Sequence, residues 1–327
     1  MNPLFGDFDV RLDPWDPGYG TELAFDPTEE AEPDQLALEL ELPPDDWKPL
    51  RPESAALPNL LQFIDGVRRI EARVLVRTSD EMFHGAFGSY ALGSVTCFQR
   101  VALCEHISVA RDAITGSGYA LPAHIPVSRG LTYIPASALD SHPDAPLRKL
   151  QERMRAAEED LARKLAQDPD TLVVMDGPLS FEAPTRGMAV GFIKRMHRLY
   201  LPQALLGVLA SLPPGHRTPV FGLRSSRRFA RFSWFLRLAP GAPCDSEYAG
   251  LARLEVAEAV GLDQAIRLAD ATALTLPRYA PGRSRDPRSP QNLLPIGALE
   301  GVLRRRLGDQ TLIRRQLETL LSRRQHA

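Results

Sequence analysis

The chain has 327 residues, of which 44% are hydrophobic and 24% charged, and its formal net charge is −2. That composition fits an ordinary globular protein of one large domain or two small ones. With no apolar run of eighteen residues, a spanning helix is excluded.

The acidic start, MNPLFGDFDVRLD, lacks a basic-then-apolar leader pattern. Cys97, Cys104 and Cys244 show no zinc-type spacing and read as reduced thiols of a cytoplasmic protein. Charge is unevenly divided. Residues 1–55 hold fifteen acids and three bases, a balance of −12, so the remainder carries +10 of the −2 total. A basic body with an acidic arm is the layout of a nucleic-acid binder, or of a chain with a solvated acidic tail.

In chain order, residues 1–55 read as an acidic, Pro-rich mobile tail, with LALELELPPDDW as its one patterned piece, a short docking strand. LQFIDGVRRIEARVLV (61–76) predicts a buried strand that ends its apolar run in Asp65-Gly66 and continues as a charged, alternating strand. The segment 84–104, aromatic and β-branched with glycine breaks, predicts further strands of an antiparallel meander. Residues 105–145 are turn-rich and read as a loop over the sheet. A stripe of Leu147, Leu150, Met154, Leu161 and Leu165 predicts a helix over 146–167. The strand TLVVMD then delivers Asp176 onto Gly177. MAVGFI is the next strand, followed by Lys194, and PQALLGVLASL is a helix. TPVFGL and RFSWFLRL are strands around the basic turn RSSRR, and YAGLARLEVAE is another. GLDQAIRLADATALTL is a helix, 276–295 a Pro/Arg loop, and two helices close the chain. The fold class is α/β, a mixed central sheet flanked by helices. Hairpin strands come early and helix–strand units late, which is the ribonuclease H-like order.

Two acids at the mouth of one sheet make a divalent-metal site, since phosphodiester hydrolysis by two metals needs carboxylates converging from separate elements. Asp65 and Asp176 are the candidates, although a single Asp-Gly at a strand end is more often a turn. A third acid is expected from the helix before Asp176. Glu152, Glu158 and Glu159 are available, with Glu158 and Glu159 both near the apolar stripe and surface glutamate the default for each. Glu300, in the penultimate helix, is a fourth candidate; its bland reading is a surface pair with Arg304. Asn292 and Asp286 lie in the loop before it. Lys194 contacts a scissile phosphate or simply snorkels. Arg224, Arg227, Arg228 and Arg231, interleaved with Trp234 and neighbouring phenylalanines, suit phosphate and unpaired bases. Some of those aromatics must be core, because Phe232 and Trp234 share one strand face. No nucleotide-binding glycine loop, serine elbow or zinc-protease motif is present.

These pieces together resemble the NurA nuclease family: FIDG with Asp65, VVMDGPL with Asp176, VGFIKR with Lys194, RFSWFLRL around Trp234, and RSPQNLLPIGALE running to Glu300. The resemblance spans 57–308 and makes 56–327 a nuclease domain. It implies a ribonuclease H-like fold, a homodimer, and a Mn²⁺-dependent (or Mg²⁺-dependent) nuclease. Such an enzyme degrades DNA from 5′ ends, cuts single strands, and works with a HerA-type hexameric translocase in DNA end processing. It also implies that Asp65, Asp176 and a helix glutamate, Glu159 by position, are metal ligands. The archaeal pattern of a tyrosine followed by a histidine is replaced here by Asn292 and Glu300. A distinct bacterial motif accounts for that, or a lapsed catalyst. The alternative function is a non-catalytic adaptor that binds DNA or the translocase ring.

Overall fold

In the computed structural model, residues 3–13, 33–179, 181–182, 187–194, 196, 198–226, 228–241, 245–282 and 290–322 are described. The strands are β1 Asp9–Leu12, β2 Gln35–Ala37, β3 Leu60–Arg77, β4 Met82–Phe98, β5 Val101–Thr115, β6 Ile125–Ser128, β7 Leu131–Ser137, β8 Thr171–Asp176, β9 Met188–Ile193, β10 Phe221–Ser225, β11 Arg228–Arg237 and β12 Leu251–Ala257. The helices are α1 Ala145–Leu165, α2 Gln203–Ala210, α3 Leu262–Thr275, α4 Leu294–Arg306 and α5 Gln310–Ser322.

All the strands join one mixed sheet in the order β2-β10-β11-β12-β9-β8-β3-β4-β5-β7-β6, with β1 on β3. β3, β4 and β5 form an antiparallel meander, while β8 and β9 run parallel to β3. α1 makes the crossover into β8. This is the expected ribonuclease H-like core, extended on the β9 side by β12, β11, β10 and β2. Among the described residues no helix is long and apolar enough to cross a membrane.

The period-two alternation of β3 assigns its faces. Phe63 and Val67 point into the cluster that holds Ile296, Leu299 and Leu303 of α4. Ile64 and Ile70 point to the opposite face, where α1 lies with Leu150, Met154 and Ala162. The long meander is held at its first turn by Thr78, whose Oγ1 accepts the Glu81 N–H at 3.0 Å while its own N–H donates to Glu81 O at 2.9 Å. Such a local hydroxyl–backbone exchange is what favours Thr in turns.

Three expectations change. The strand β3 continues twelve residues past Asp65 as expected, but Asp65-Gly66 is not the turn expected of an Asp-Gly at a strand end, so its glycine serves another purpose. The glycines of β4 do not break it, because Gly85, Gly88 and Gly93 stay in register with β3. Residues 105–145, read as a loop, continue β5 and then form the β6–β7 hairpin and the start of α1. The outer part of β5 is exposed on both faces, which erases the alternation that marks a strand. Within the acidic first 55 residues, β1 and β2 pair with the sheet, and Trp47 is buried against Phe221. Cys97 is buried and Cys104 exposed, both free; Cys244 lies outside the described residues.

Candidate metal centre

β3 and β8 are parallel neighbours whose last paired residues are Ile64 and Met175. The next residue on each strand is Asp65 and Asp176. In-register parallel neighbours share a face, so both carboxylates project side by side toward α4. α4 carries Glu300 to the same place. One carboxylate oxygen from each of Asp65, Asp176 and Glu300 lies within 4.8 Å of the others. Lys194, one residue past β9, enters on the same face. Its Nζ donates to Asp176 Oδ2 at 2.5 Å and to Asn292 Oδ1 at 3.0 Å, and stands 3.9 Å from Glu300 Oε1.

The electrostatics follow from burial. Burial raises the Asp65 carboxyl well above the usual range; the negative charges of Asp176, Glu158 and Glu300 push the same way, and Lys194 opposes them. Burial alone would depress the Lys194 ammonium, but Asp176, Asp65 and Glu300 outweigh it and hold the cation above its ordinary value. Three carboxylates against one ammonium leave excess negative charge in a desolvated pocket. An all-oxygen donor set with uncompensated negative charge fits a hard divalent cation such as Mg²⁺ or Mn²⁺. The residues present therefore suit such an ion.

Of the two α1 glutamates, Glu158 and not Glu159 lines a cleft with Asp65 and Asp176. Glu159 is bonded to Arg163 one helical turn on. Glu158 is buried on the sheet side, beside Gly66 and Met154. Its carboxyl is pushed up to about 8 by burial, with Arg155 opposing and Asp176 adding to the rise. Gly66 is what admits it, since a Cβ there would collide with Glu158 Oε1 and stand 3.1 Å from Met154. Asp-Gly on β3 thus marks a close helix approach, whereas Gly177 after Asp176 does turn the chain, at φ 109°.

Supporting contacts fix each element. The Leu179 N–H, just past Asp176, donates to Glu255 Oε1 at 2.9 Å. Glu255 is itself held by Arg231 at 2.9 Å and Arg253 at 3.1 Å, all three buried. At the end of α4, Leu307 O accepts from Arg69 at 3.2 Å and Arg111 at 3.1 Å, and Gly308 O accepts from Arg69 at 2.9 Å. Cations at a helix C-terminus oppose its dipole and satisfy its last carbonyls.

Of the basic stretch, Arg224 and Arg231 do not join the centre. Arg224 is exposed and paired with Glu258 at 2.6 Å. Arg231 is buried on Glu255. Trp234 is fully buried, with its Nε1 donating to Thr272 at 3.2 Å, so it is core and not a base-stacking surface. Arg228 opens β11, and Arg227 and Asp286 lie outside the described residues. Glu300 is buried rather than on the surface. The cations that do line the approach are Arg68, Arg69 and Arg304, around a groove of about 710 Å³ that also includes Asp65, Asp176 and Glu300. Two of them stand in VRRIEAR, directly after FIDG. The third is one turn beyond Glu300. Both signals were visible as basic residues following a candidate ligand on the same element.

No protein-family model matches the chain, and no curated protein matches it. Among solved structures it is similar to human ENDOV, at 13% identity and TM-score 0.33 over 76% of this chain and 84% of that one. The catalytic domain of human Endonuclease V gives 13% identity and TM-score 0.32 over 78% and 85%. The NurA nuclease from Sulfolobus solfataricus gives 12% identity and TM-score 0.46 over 84% of this chain and 88% of that one. That last protein bears the name of the family that the sequence motifs resemble.

Proposed function

We propose that the chain is a metal-dependent deoxyribonuclease, with Asp65, Asp176, Glu158 and Glu300 as the carboxylates that hold Mn²⁺ or Mg²⁺. The observation that carries this reading is the convergence of Asp65, Asp176 and Glu300 oxygens within 4.8 Å from three separate elements. Divalent ions held there would activate water and offset the charge gathered on the phosphoryl oxygens.

The chain's own residues have distinct tasks. Lys194 orients Asp176 through its Nζ contact and shares that ammonium with Asn292. It also keeps one positive charge beside the acids while the site binds a polyanion. Arg68, Arg69 and Arg304 line the groove that leads to the acids, and they favour a phosphate backbone over a neutral substrate. Glu255 holds the backbone just after Asp176, which keeps that carboxylate aimed. From the family resemblance come the further expectations of 5′-to-3′ exonuclease and single-strand endonuclease activity, of a homodimer, and of a HerA-type hexameric translocase as partner.

The test uses DNA labelled at the 5′ or 3′ end, single- and double-stranded, with and without Mn²⁺. Wild type is expected to cut only with metal. Asp65→Ala and Asp176→Ala are expected to lose cleavage while remaining folded by circular dichroism. Undiminished cutting by both variants sinks the site. A wild type that binds DNA but never cuts it with Mg²⁺, Mn²⁺ or Co²⁺ favours the adaptor reading.

A further inference from the structure

On one edge, β3 pairs with β8 up to Ile64 and with β1 only from Val74 onward. Among the described strands nothing pairs with that edge of β3 in between. The gap lets the groove pass from the acidic face to the α1 face of the sheet. Asp65, Gly66, Gln151, Met154 and Asp176 line both the 710 Å³ groove and a smaller cleft of about 190 Å³ next to it, so the two are continuous.

The smaller cleft is lined by Arg155. Gln151, Arg155 and Glu158 fall at i, i+4 and i+7 of α1 and so share one side of the helix. The Arg155 guanidinium reaches over Gly177: its Nη1 lies 3.8 Å from where a Cβ on Gly177 would stand. Its Nε is buried and has no hydrogen-bond partner. Arg68 stands on the same face of β3 as Gly66 and is fastened to Gln151 through its Nε. Burial and the neighbouring Arg155 charge both disfavour the Arg68 cation. Two guanidiniums in adjoining clefts repel, and a buried guanidinium nitrogen without a partner costs desolvation energy. An anion seated between them relieves both.

We propose that Arg155 and Arg68 form a phosphate subsite on the α1 side of the sheet. It would take the phosphodiester next to the one over the acids, on the same nucleic-acid strand. The subsite rests on the nuclease reading for its substrate class, but it is separable from it by binding. Arginine suits the role because its planar fork grips a phosphate through two N–H groups at once. The position suits it because Arg155 lines the same cleft as Asp65 and Asp176, with its guanidinium over Gly177.

The experiment is fluorescence anisotropy of a labelled mixed-sequence single-stranded oligonucleotide over a salt series in EDTA, using the full chain. Arg155→Ala is expected to weaken binding about tenfold. It is also expected to lower the slope of log affinity against log salt by about 0.7, the value for one lost phosphate contact on a single strand. Arg155→Lys, which keeps the charge, restores most of the slope. Arg68→Ala behaves like Arg155→Ala. In Mn²⁺ assays Arg155→Ala raises KM about tenfold and leaves kcat within about twofold. A wild-type affinity and slope in folded Arg155→Ala overturns the subsite, even where the wild type cuts DNA. A lost slope in a chain that never cuts DNA keeps the subsite and removes the nuclease. Arg155→Gln supplies the same comparison where the alanine variant unfolds.

Discussion

Glu158 and Glu159 differ by one position on α1 and have opposite fates. A residue step of about 100° around the helix turns Glu159 to Arg163 and turns Glu158 under the sheet edge. Cleavage assays separate them: Glu158→Gln is expected to lose Mn²⁺-dependent activity, and Glu159→Gln to keep it within about twofold. The same residue sets a pH dependence. Burial, against the opposing Arg155 charge, pushes the Glu158 carboxyl up to about 8 from 4.5, so between those values the folded chain binds a proton that the unfolded chain releases. Its contribution to stability is therefore complete below about pH 4.5 and lost as pH rises toward 8 in metal-free protein. Thermal melts in EDTA should show Glu158→Gln gaining on wild type steadily across that range. A difference between the two that shrinks with rising pH contradicts the assignment.

At the level of elements, the centre depends on how closely α1 lies on the meander. Gly66 and Gly88 are the contact points: a Cβ at either would strike Glu158 Oε1 or Leu150 Cδ2. At Gly66 the obstructing group is the end of a flexible side chain, so the fold tolerates a methyl better than the site does. Gly66→Ala is expected to weaken Mn²⁺ binding about tenfold, as displacement of a group in or beside a metal's ligand shell does. Its melting temperature should fall by only a few degrees, about 1 kcal/mol for a domain of this size. Isothermal titration calorimetry with Mn²⁺ reads the first effect and a thermal melt the second. Unchanged Mn²⁺ affinity would remove Glu158 from the ligand set.

At the level of the whole molecule, the acidic segment is part of the body where it is described. Arg217, buried between Glu41 and Asp270, bonds Glu41 at 2.8 Å and Asp270 at 2.7 Å, and the Val220 N–H also donates to Glu41 at 2.7 Å. Trp47 packs on Phe221, with its Nε1 donating to Leu38 O at 3.1 Å. Removing the ring leaves a cavity between this segment and β10. Trp47→Ala is expected to cost about 3 kcal/mol, measured by urea unfolding. Loss of less than about 0.5 kcal/mol, the range of ordinary surface changes, would mean that the segment does not dock in solution.

Local pattern carried a great deal. Apolar runs ending in Asp-Gly identified both aspartates, the 3.6-residue stripe identified α1, and the order of strands and helices identified the sheet class. These are properties of short stretches, set by side-chain alternation and backbone preference, so they are legible without the fold. What lies beyond them was settled by tertiary packing. Helical spacing left Glu158 and Glu159 equivalent until Gly66 was found opposite one of them. The RSSRR–RFSW stretch had the composition of a nucleic-acid surface. However, Trp234 and Arg231 fell on strand faces that the sheet buries, against Thr272 and Glu255 from distant segments. Glu300 and Lys194 join Asp65 only because β9 lies in the sheet beside β8 and α4, far along the chain, packs on the face that Lys194 and Asp65 share. Residue type and spacing therefore determined which carboxylates were available. The parallel register of β3 with β8, and the close approach of α1 and α4, decided which of them share one pocket, because charge can converge only where separate elements bring it together.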